Sequence, residues 1–146
     1  MPTSNRYFYR HRGYEFPTVK YLKLVHDTVL EESGGGLGIA DEGKIISAAR
    51  QPVQSAGGED AYPTLFWKVA AVGLRLAHDH SFTDANKRTA LQVMLDTLER
   101  NDYYAAPSEE EATTIMVLTA MGLLEIEGLR IALMLWCGVD PADHTA

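Results

Sequence analysis

One cysteine, Cys137, occurs in the 146 residues. A lone thiol excludes an intramolecular disulfide framework and a cysteine-based zinc site. Its place in the apolar run 131–137 reads it as a small buried hydrophobe. Missing too is any stretch near the ~20 apolar residues that a bilayer-spanning helix requires. The polar and aromatic residues 1–12 lack the apolar segment of a signal peptide. These absences lead to the expectation of a cytoplasmic protein without a membrane partner. Basic charge is scarce as well: 13 Lys and Arg stand against 20 Asp and Glu, a net charge of −7. Affinity for a phosphate backbone depends on neutralising Lys and Arg, so nucleic acid is disfavoured as a direct partner. A local basic cluster in so acidic a chain stands out.

What is present describes one folded domain: 46% hydrophobic and 23% charged residues, at a length of a single typical domain. Residues 1–17 form a basic and aromatic arm (Arg6, Tyr7, Phe8, Tyr9, Arg10, His11, Arg12, Tyr14) ended by Pro17. The domain proper spans 18–138, with 139–146 as a C-terminal tail. Strand signals are weak, and the pattern predicts an all-α, compact bundle of about six helices. Thr18 caps the first, which runs to about Glu32 with Val19, Leu22, Val25, Val29 and Leu30 at helical spacing, until Gly34 and its glycine neighbours stop it. A second helix runs from about Asp41 to Arg50. Residues 51–63 carry no helical pattern and predict a short flap or hairpin, with Val53 and Ser55 pairing. Residues 64–77 are apolar nearly all round, which predicts a central buried helix. Next comes a helix over 86–100 with Ala90, Val93, Met94 and Leu98 on one face. Ser108 and Glu111 make a capping box for a helix carrying Ile115, Met116, Leu118 and Leu123. A last helix covers about 125–137.

The chemistry is concentrated between the two central helices, in His78-Asp79-His80-Ser81-Phe82-Thr83-Asp84-Ala85-Asn86-Lys87-Arg88-Thr89. Thr83 or Asp84 is the expected cap of the following helix, whose first amides lack intrahelical acceptors. A helix N-terminus favours anions, yet here Lys87 and Arg88 occupy the first turn. Two cations at a positive helix end are unfavourable unless something negative binds between them, and a phosphate is the natural guest. Asp84 offers a hard oxygen ligand for Mg²⁺ shared with nucleotide phosphates. His80 can accept a hydroxyl proton as a neutral imidazole, and Phe82 reads as a buried anchor for the loop. Taken singly, each of these residues has a bland role; their clustering within nine positions is what favours a site.

His80-Ser81-Phe82-Thr83-Asp84-Ala85-Asn86-Lys87-Arg88 resembles the signature loop of the Fic/Doc superfamily, His-x-Phe-x-(Asp/Glu)-(Gly/Ala)-Asn-(Gly/Lys)-Arg, most closely its Doc (death-on-curing) branch. His26-Asp27, Gly34-Gly35, Gly38, Asp41-x-Gly43, residues 48–52 and Tyr62-Pro63-Thr64-Leu65 recur in matching order, and the resemblance covers about residues 20–135. It implies a toxin of a toxin–antitoxin system that uses ATP or another nucleoside triphosphate with Mg²⁺. His80 would be the general base, Asp84 the Mg²⁺-associated catalytic carboxylate, and Asn86, Lys87 and Arg88 the phosphate-binding groups, Arg88 also catalytic. Residues 53–62 would be the flap that aligns the target. The protein substrate implied is a threonine of elongation factor Tu, and the implied inhibitor a Phd-like antitoxin acting in trans, since neither Thr28…Glu32-Ser33 nor Gly38…Glu42-Gly43 completes an inhibitory motif in cis.

Members that transfer AMP typically have Gly-Asn-Gly-Arg followed three residues on by a second arginine. Lys87 and Leu91 stand at the two differing positions, which should change how a triphosphate sits. Ala85-Asn86-Lys87-Arg88 is similar to the Doc branch, and that resemblance implies phosphoryl rather than adenylyl transfer. A metal-dependent His-Asp phosphohydrolase competes through His26-Asp27 and His78-Asp79, although that reading leaves Asn86, Lys87 and Arg88 without a role. His26 and Asp27 are expected instead to make a structural hydrogen bond near the end of the first helix, and His78 to face solvent or cap. An inactive binding module is the remaining alternative.

Overall fold

The computed structural model describes residues 6–146; the first five residues of the N-terminal arm lie outside the described residues. Six α-helices and two small hairpins make up the regular structure among them. The described part of the arm is ordered: β1 (Phe8–His11) pairs antiparallel with β2 (Tyr14–Pro17), Tyr9 opposite Phe16. Phe16 is buried, and the Phe8 ring sits 4.6 Å from that of Tyr21. The hairpin is tied down by Glu15, whose amide donates to Asn101 Oδ1 at 2.9 Å and whose carboxylate accepts from Arg100 Nε at 2.9 Å.

Helix α1 (Val19–Ser33) begins at Thr18, whose hydroxyl accepts from the Tyr21 amide, and ends at Gly34 in a positive-φ conformation. Asp41 caps α2 (Glu42–Arg50), and a 3₁₀ turn over Gln51–Val53 follows. The expected flap is a hairpin, but its pairing differs from Val53 with Ser55. Strand β3 (Ser55–Ala56) pairs with β4 (Glu59–Asp60), Ala56 opposite Glu59. Gly57 and Gly58 both take positive φ, the two-residue turn that matches strand twist, and Val53 is left in the 3₁₀ turn.

Helix α3 (Leu65–His78) is the axis of the bundle, buried on nearly every side, as its apolar sequence predicts. It packs against α2, α4 (Asn86–Arg100) and α6 (Ile126–Trp136). The crossing with α4 is close: a β-carbon on Gly73 would lie 2.1 Å from Met94 Sδ. On α4, Ala90, Val93, Met94 and Leu98 all face the core. Helix α5 (Glu109–Ala120) is capped by Ser108, whose hydroxyl accepts from the Glu111 amide. Met116 is buried, but Leu123 falls beyond the helix end and is exposed, because the chain turns at Gly122. Cys137 caps the C-terminus of α6 and is half-buried rather than a core residue; burial still pushes its thiol pKa up to about 11.

Candidate functional site

Helix α3 delivers His78, Asp79 and His80 to one end of the bundle, and α4 leaves from the same place. His80 has a φ of 54°, and its exposed ring makes no hydrogen bond with a described residue. Phe82 turns inward and is 1% exposed, the anchor its sequence position suggests. The Asn86 side chain closes the loop, accepting from the Phe82 amide through Oδ1 at 3.1 Å and donating to the Phe82 carbonyl through Nδ2 at 3.0 Å. These two bonds leave Asn86 its backbone N–H and one Nδ2 hydrogen as donors for an anion.

Neither Thr83 nor Asp84 caps α4. The cap residue is Ala85, in the left-handed region at φ 64°, with no side-chain cap. The Asp84 carboxylate instead takes its own neighbour's N–H, from Ala85 at 2.7 Å, and that of Gly36 at 3.2 Å. Those two donors, with Arg88 and Lys87 nearby, hold its pKa below the usual carboxylate range. It is exposed and ionised at neutral pH. Lys87 and Arg88 are exposed in a first turn that holds no acidic residue, so the inversion of the usual helix charge pattern stands in three dimensions. Arg88 Nη2 reaches the Gly34 carbonyl at 3.3 Å.

His80, Thr83, Asp84, Ala85, Asn86, Lys87 and Arg88 line one cavity of about 310 Å³, floored by Ala77 and Ala120. The loop is thus a single concave site. An apolar pocket of about 120 Å³ adjoins it, sharing Lys87 and Arg88 and lined further by Leu91, Ala112, Thr113, Met116 and Val117.

The segment strapped to this loop is residues 34–41. Ser81 C=O accepts from the amides of Ala40 and Asp41, both at 3.1 Å, Thr83 N–H donates to Gly38 C=O, and Ile39 bridges Phe82 in antiparallel fashion. Gly35 is pressed against the carboxylate: a β-carbon there would lie 2.9 Å from Asp84 Oδ2, at a φ of +134°. Residues 51–62 line no part of the cavity. They hang at the other end of α3, whose 14 residues amount to about 21 Å of helix. Asp60 fastens them there through a 2.7 Å bond from the buried Lys68 Nζ, joined by His11 at 2.8 Å and Arg12 at 3.2 Å.

His26 is the residue whose placement the sequence did not disclose. It lies mid-helix in α1, 2% exposed, with its ring stacked on Phe82 and Nε2 3.0 Å from the Asp84 carbonyl. The expected bond to Asp27 is not made, since Nδ1 to Oδ1 is 3.6 Å. His78 faces solvent and contacts Asp79 at 3.2 Å. Among the described residues no three His, Cys, Asp or Glu side chains converge as metal ligands, so the two His-Asp pairs do not assemble the polydentate centre a His-Asp phosphohydrolase needs. A divalent cation here would have the Asp84 carboxylate as its protein ligand, with phosphate oxygens completing the shell. The hard, ionised donor fits that arrangement. Among the described residues no helix is long and apolar enough to cross a membrane.

A family model described as Fic/DOC family matches residues 16–98, from β2 to the last turn of α4. Toxin Doc of Mycolicibacterium smegmatis is 44% identical over 57 residues, which are 39% of this chain and 44% of that protein. Protein kinase doc of Escherichia phage P1 is 34% identical over 91 residues, 62% of this chain and 71% of the phage protein. The chain thus spans less than half the length of the first of these relatives and about seven-tenths of the second.

Proposed function

The chain belongs to the Fic/DOC family, and on that premise we propose that it is a Doc-like toxin that transfers the γ-phosphate of a nucleoside triphosphate to a protein hydroxyl. A threonine of elongation factor Tu is the acceptor that the resemblance to the Doc branch implies, with arrest of translation as the consequence and a Phd-like antitoxin as the partner that restrains it. The observation that carries the reading is the single cavity that brings His80, Asp84, Lys87 and Arg88 to the uncapped start of α4. It combines a free imidazole, an ionised carboxylate and an anion cradle, and one of its two relatives named above is a protein kinase.

In this reading the phosphates lie over the first turn of α4, held by the amides of residues 86–88 and by the Lys87 and Arg88 side chains. The adjoining apolar pocket between α4 and α5 is the nearest seat for the base. The acceptor hydroxyl oxygen bonds to the γ-phosphorus, the bond to the β–γ bridging oxygen breaks, and the nucleoside diphosphate leaves. His80 takes the hydroxyl proton. Arg88 faces the charge spread over the transferring oxygens, where positioning and electrostatics supply most of the rate. Mg²⁺, when bound at Asp84, neutralises phosphate charge. Leu91, apolar where AMP-transferring members carry a second arginine, lines the base pocket instead of the cradle.

Incubation with whole-cell protein and ATP labelled at either the α- or the γ-phosphate tests the proposal. Label from γ alone is expected. Label from α assigns adenylyl transfer, and none from either leaves a binding module.

A further inference from the structure

We infer that His26, on α1, is a positioning residue for the loop at residues 81–88; the inference rests on the reading of that loop as the phosphotransfer site. The argument begins at Ala85. A residue with a β-carbon is disfavoured in the left-handed region, yet Ala85 sits there at φ 64°. Because the chain turns that way, the helical ladder of α4 starts late: the Ala85 carbonyl receives the Thr89 amide at 2.9 Å, and the Asp84 carbonyl is left outside the ladder. His26 Nε2 takes that carbonyl at 3.0 Å. A carbonyl only accepts, so Nε2 is the donor.

The same ring lies flat on Phe82, centroids 3.8 Å apart and planes 7° from parallel. One buried side chain therefore fixes both the anchor of the loop and the backbone of its carboxylate residue, from a helix 58 positions earlier in the chain. Packing alone would be met by any flat ring; the bond to the Asp84 carbonyl is what packing does not require. Without the donor, that carbonyl has no partner outside the helix and gains one by entering it. Ala85 then relaxes to right-handed φ, α4 lengthens by one residue, and the Asp84 carboxylate turns away from the Gly36 amide and the cavity.

Three variants of the full chain separate these contributions. His26→Phe keeps the stack and removes the donor, His26→Gln keeps a donor, and the double variant His26→Phe with Ala85→Gly removes the penalty on left-handed φ. The readouts are the φ of residue 85 by NMR or crystallography, the melting temperature, and kcat and KM for nucleotide in protein labelling. In His26→Phe, φ at 85 is expected to become negative and kcat to fall about tenfold or more, with KM for nucleotide raised because the Arg88 N–H is drawn into the helical ladder, and with melting temperature little changed. His26→Gln and the double variant are expected to recover most of kcat. A positive φ at 85 in His26→Phe, or an unchanged kcat, overturns the inference. Should His26→Phe misfold, His26→Asn, polar but too short to reach the carbonyl, carries the same comparison. If the wild-type chain labels no protein, the proposed phosphotransfer falls, and the φ of residue 85 alone decides the role of His26.

Discussion

At the scale of single residues, the loop divides into side chains that hold it together and side chains left free for the proposed chemistry. Phe82, Asn86 and His26 are committed to backbone or core contacts. His80 and Lys87 make no hydrogen bond with a described residue, which is what a side chain reserved for a substrate requires. His80→Ala is expected to lower kcat for labelling by about 10²–10⁴-fold, the usual worth of a general base, with the melting temperature unchanged because the ring is exposed. Retention of full activity would remove His80 from the role. Arg88→Ala is expected to cost about 10²-fold or more in kcat, as loss of a group facing transition-state charge does. The candidate site was legible in sequence because its oddity is local: two cations in a helix's first turn need no tertiary structure to be noticed. His26 was not, since its partners Phe82 and Asp84 are more than fifty positions away and a histidine on a helix face carries no mark of what it will touch. The loop-closing bonds of the Asn86 side chain were not legible for a related reason. An amide is equally suited to a phosphate and to a loop's own backbone, and only geometry assigns it.

At the scale of elements, helices announced themselves through caps and periodicity, while hairpins depended on turn chemistry. Thr18, Asp41 and Ser108 each accept from an amide three residues on. The N-terminal hairpin was invisible because its turn puts Arg12 and Gly13 at positive φ, and arginine is a poor signal for a turn that ordinarily shows Asn or Asp before Gly. Gly57-Gly58 did carry that signal, and giving it precedence over Val53 and Ser55 yields the observed pairing. The flap and the N-terminal hairpin meet at Asp60, whose carboxylate is held far below its ordinary pKa first by Lys68 and then by His11 and Arg12. A carboxylate with a depressed folded-state pKa contributes stability that is present above its unfolded value, about 3.9, and lost as pH falls toward the folded one. The melting temperature of the wild type is therefore expected to drop more steeply below about pH 4 than that of Asp60→Asn. Parallel curves would show that the cluster does not contribute to stability. Lys68 is 1% exposed, and Lys68→Ala is expected to cost about 3 kcal/mol, the low end for breaking a buried pair, since Asp60 keeps two other donors. Between α4 and α5, Val117→Trp places a bulky ring in the apolar pocket from its exposed rim. KM for the nucleotide is expected to rise about tenfold, near 1.4 kcal/mol of binding, and an unchanged KM would place the base elsewhere.

At the scale of the whole molecule, a net charge of −7 and the proposed phosphate site are compatible because the field that matters is local. Lys87, Arg88 and the start of α4 form one small positive concavity, while the acidic remainder repels polymeric phosphate that comes within a Debye length of about 8 Å of it. A protein built this way is suited to a small triphosphate and a protein acceptor. If the proposed transfer holds, each copy modifies many target molecules, and its effect on a cell is expected to be out of proportion to its accumulation. Induced expression of the wild-type chain is expected to stop growth, with incorporation of labelled amino acids falling before that of labelled nucleosides. His80→Ala, accumulated to the same level, is expected to leave both unchanged. That pairing separates catalysis from the burden of overexpression, because the two chains differ by one exposed side chain and share a core. Co-expression of a small antitoxin with a disordered tail that folds on binding is expected to restore growth to cells making the wild type. Unimpeded growth and normal amino-acid incorporation with the wild type, at an accumulation verified by blotting, would eliminate the toxin reading. Arrest by the wild type and His80→Ala alike would show that the effect arises from binding and not from transfer.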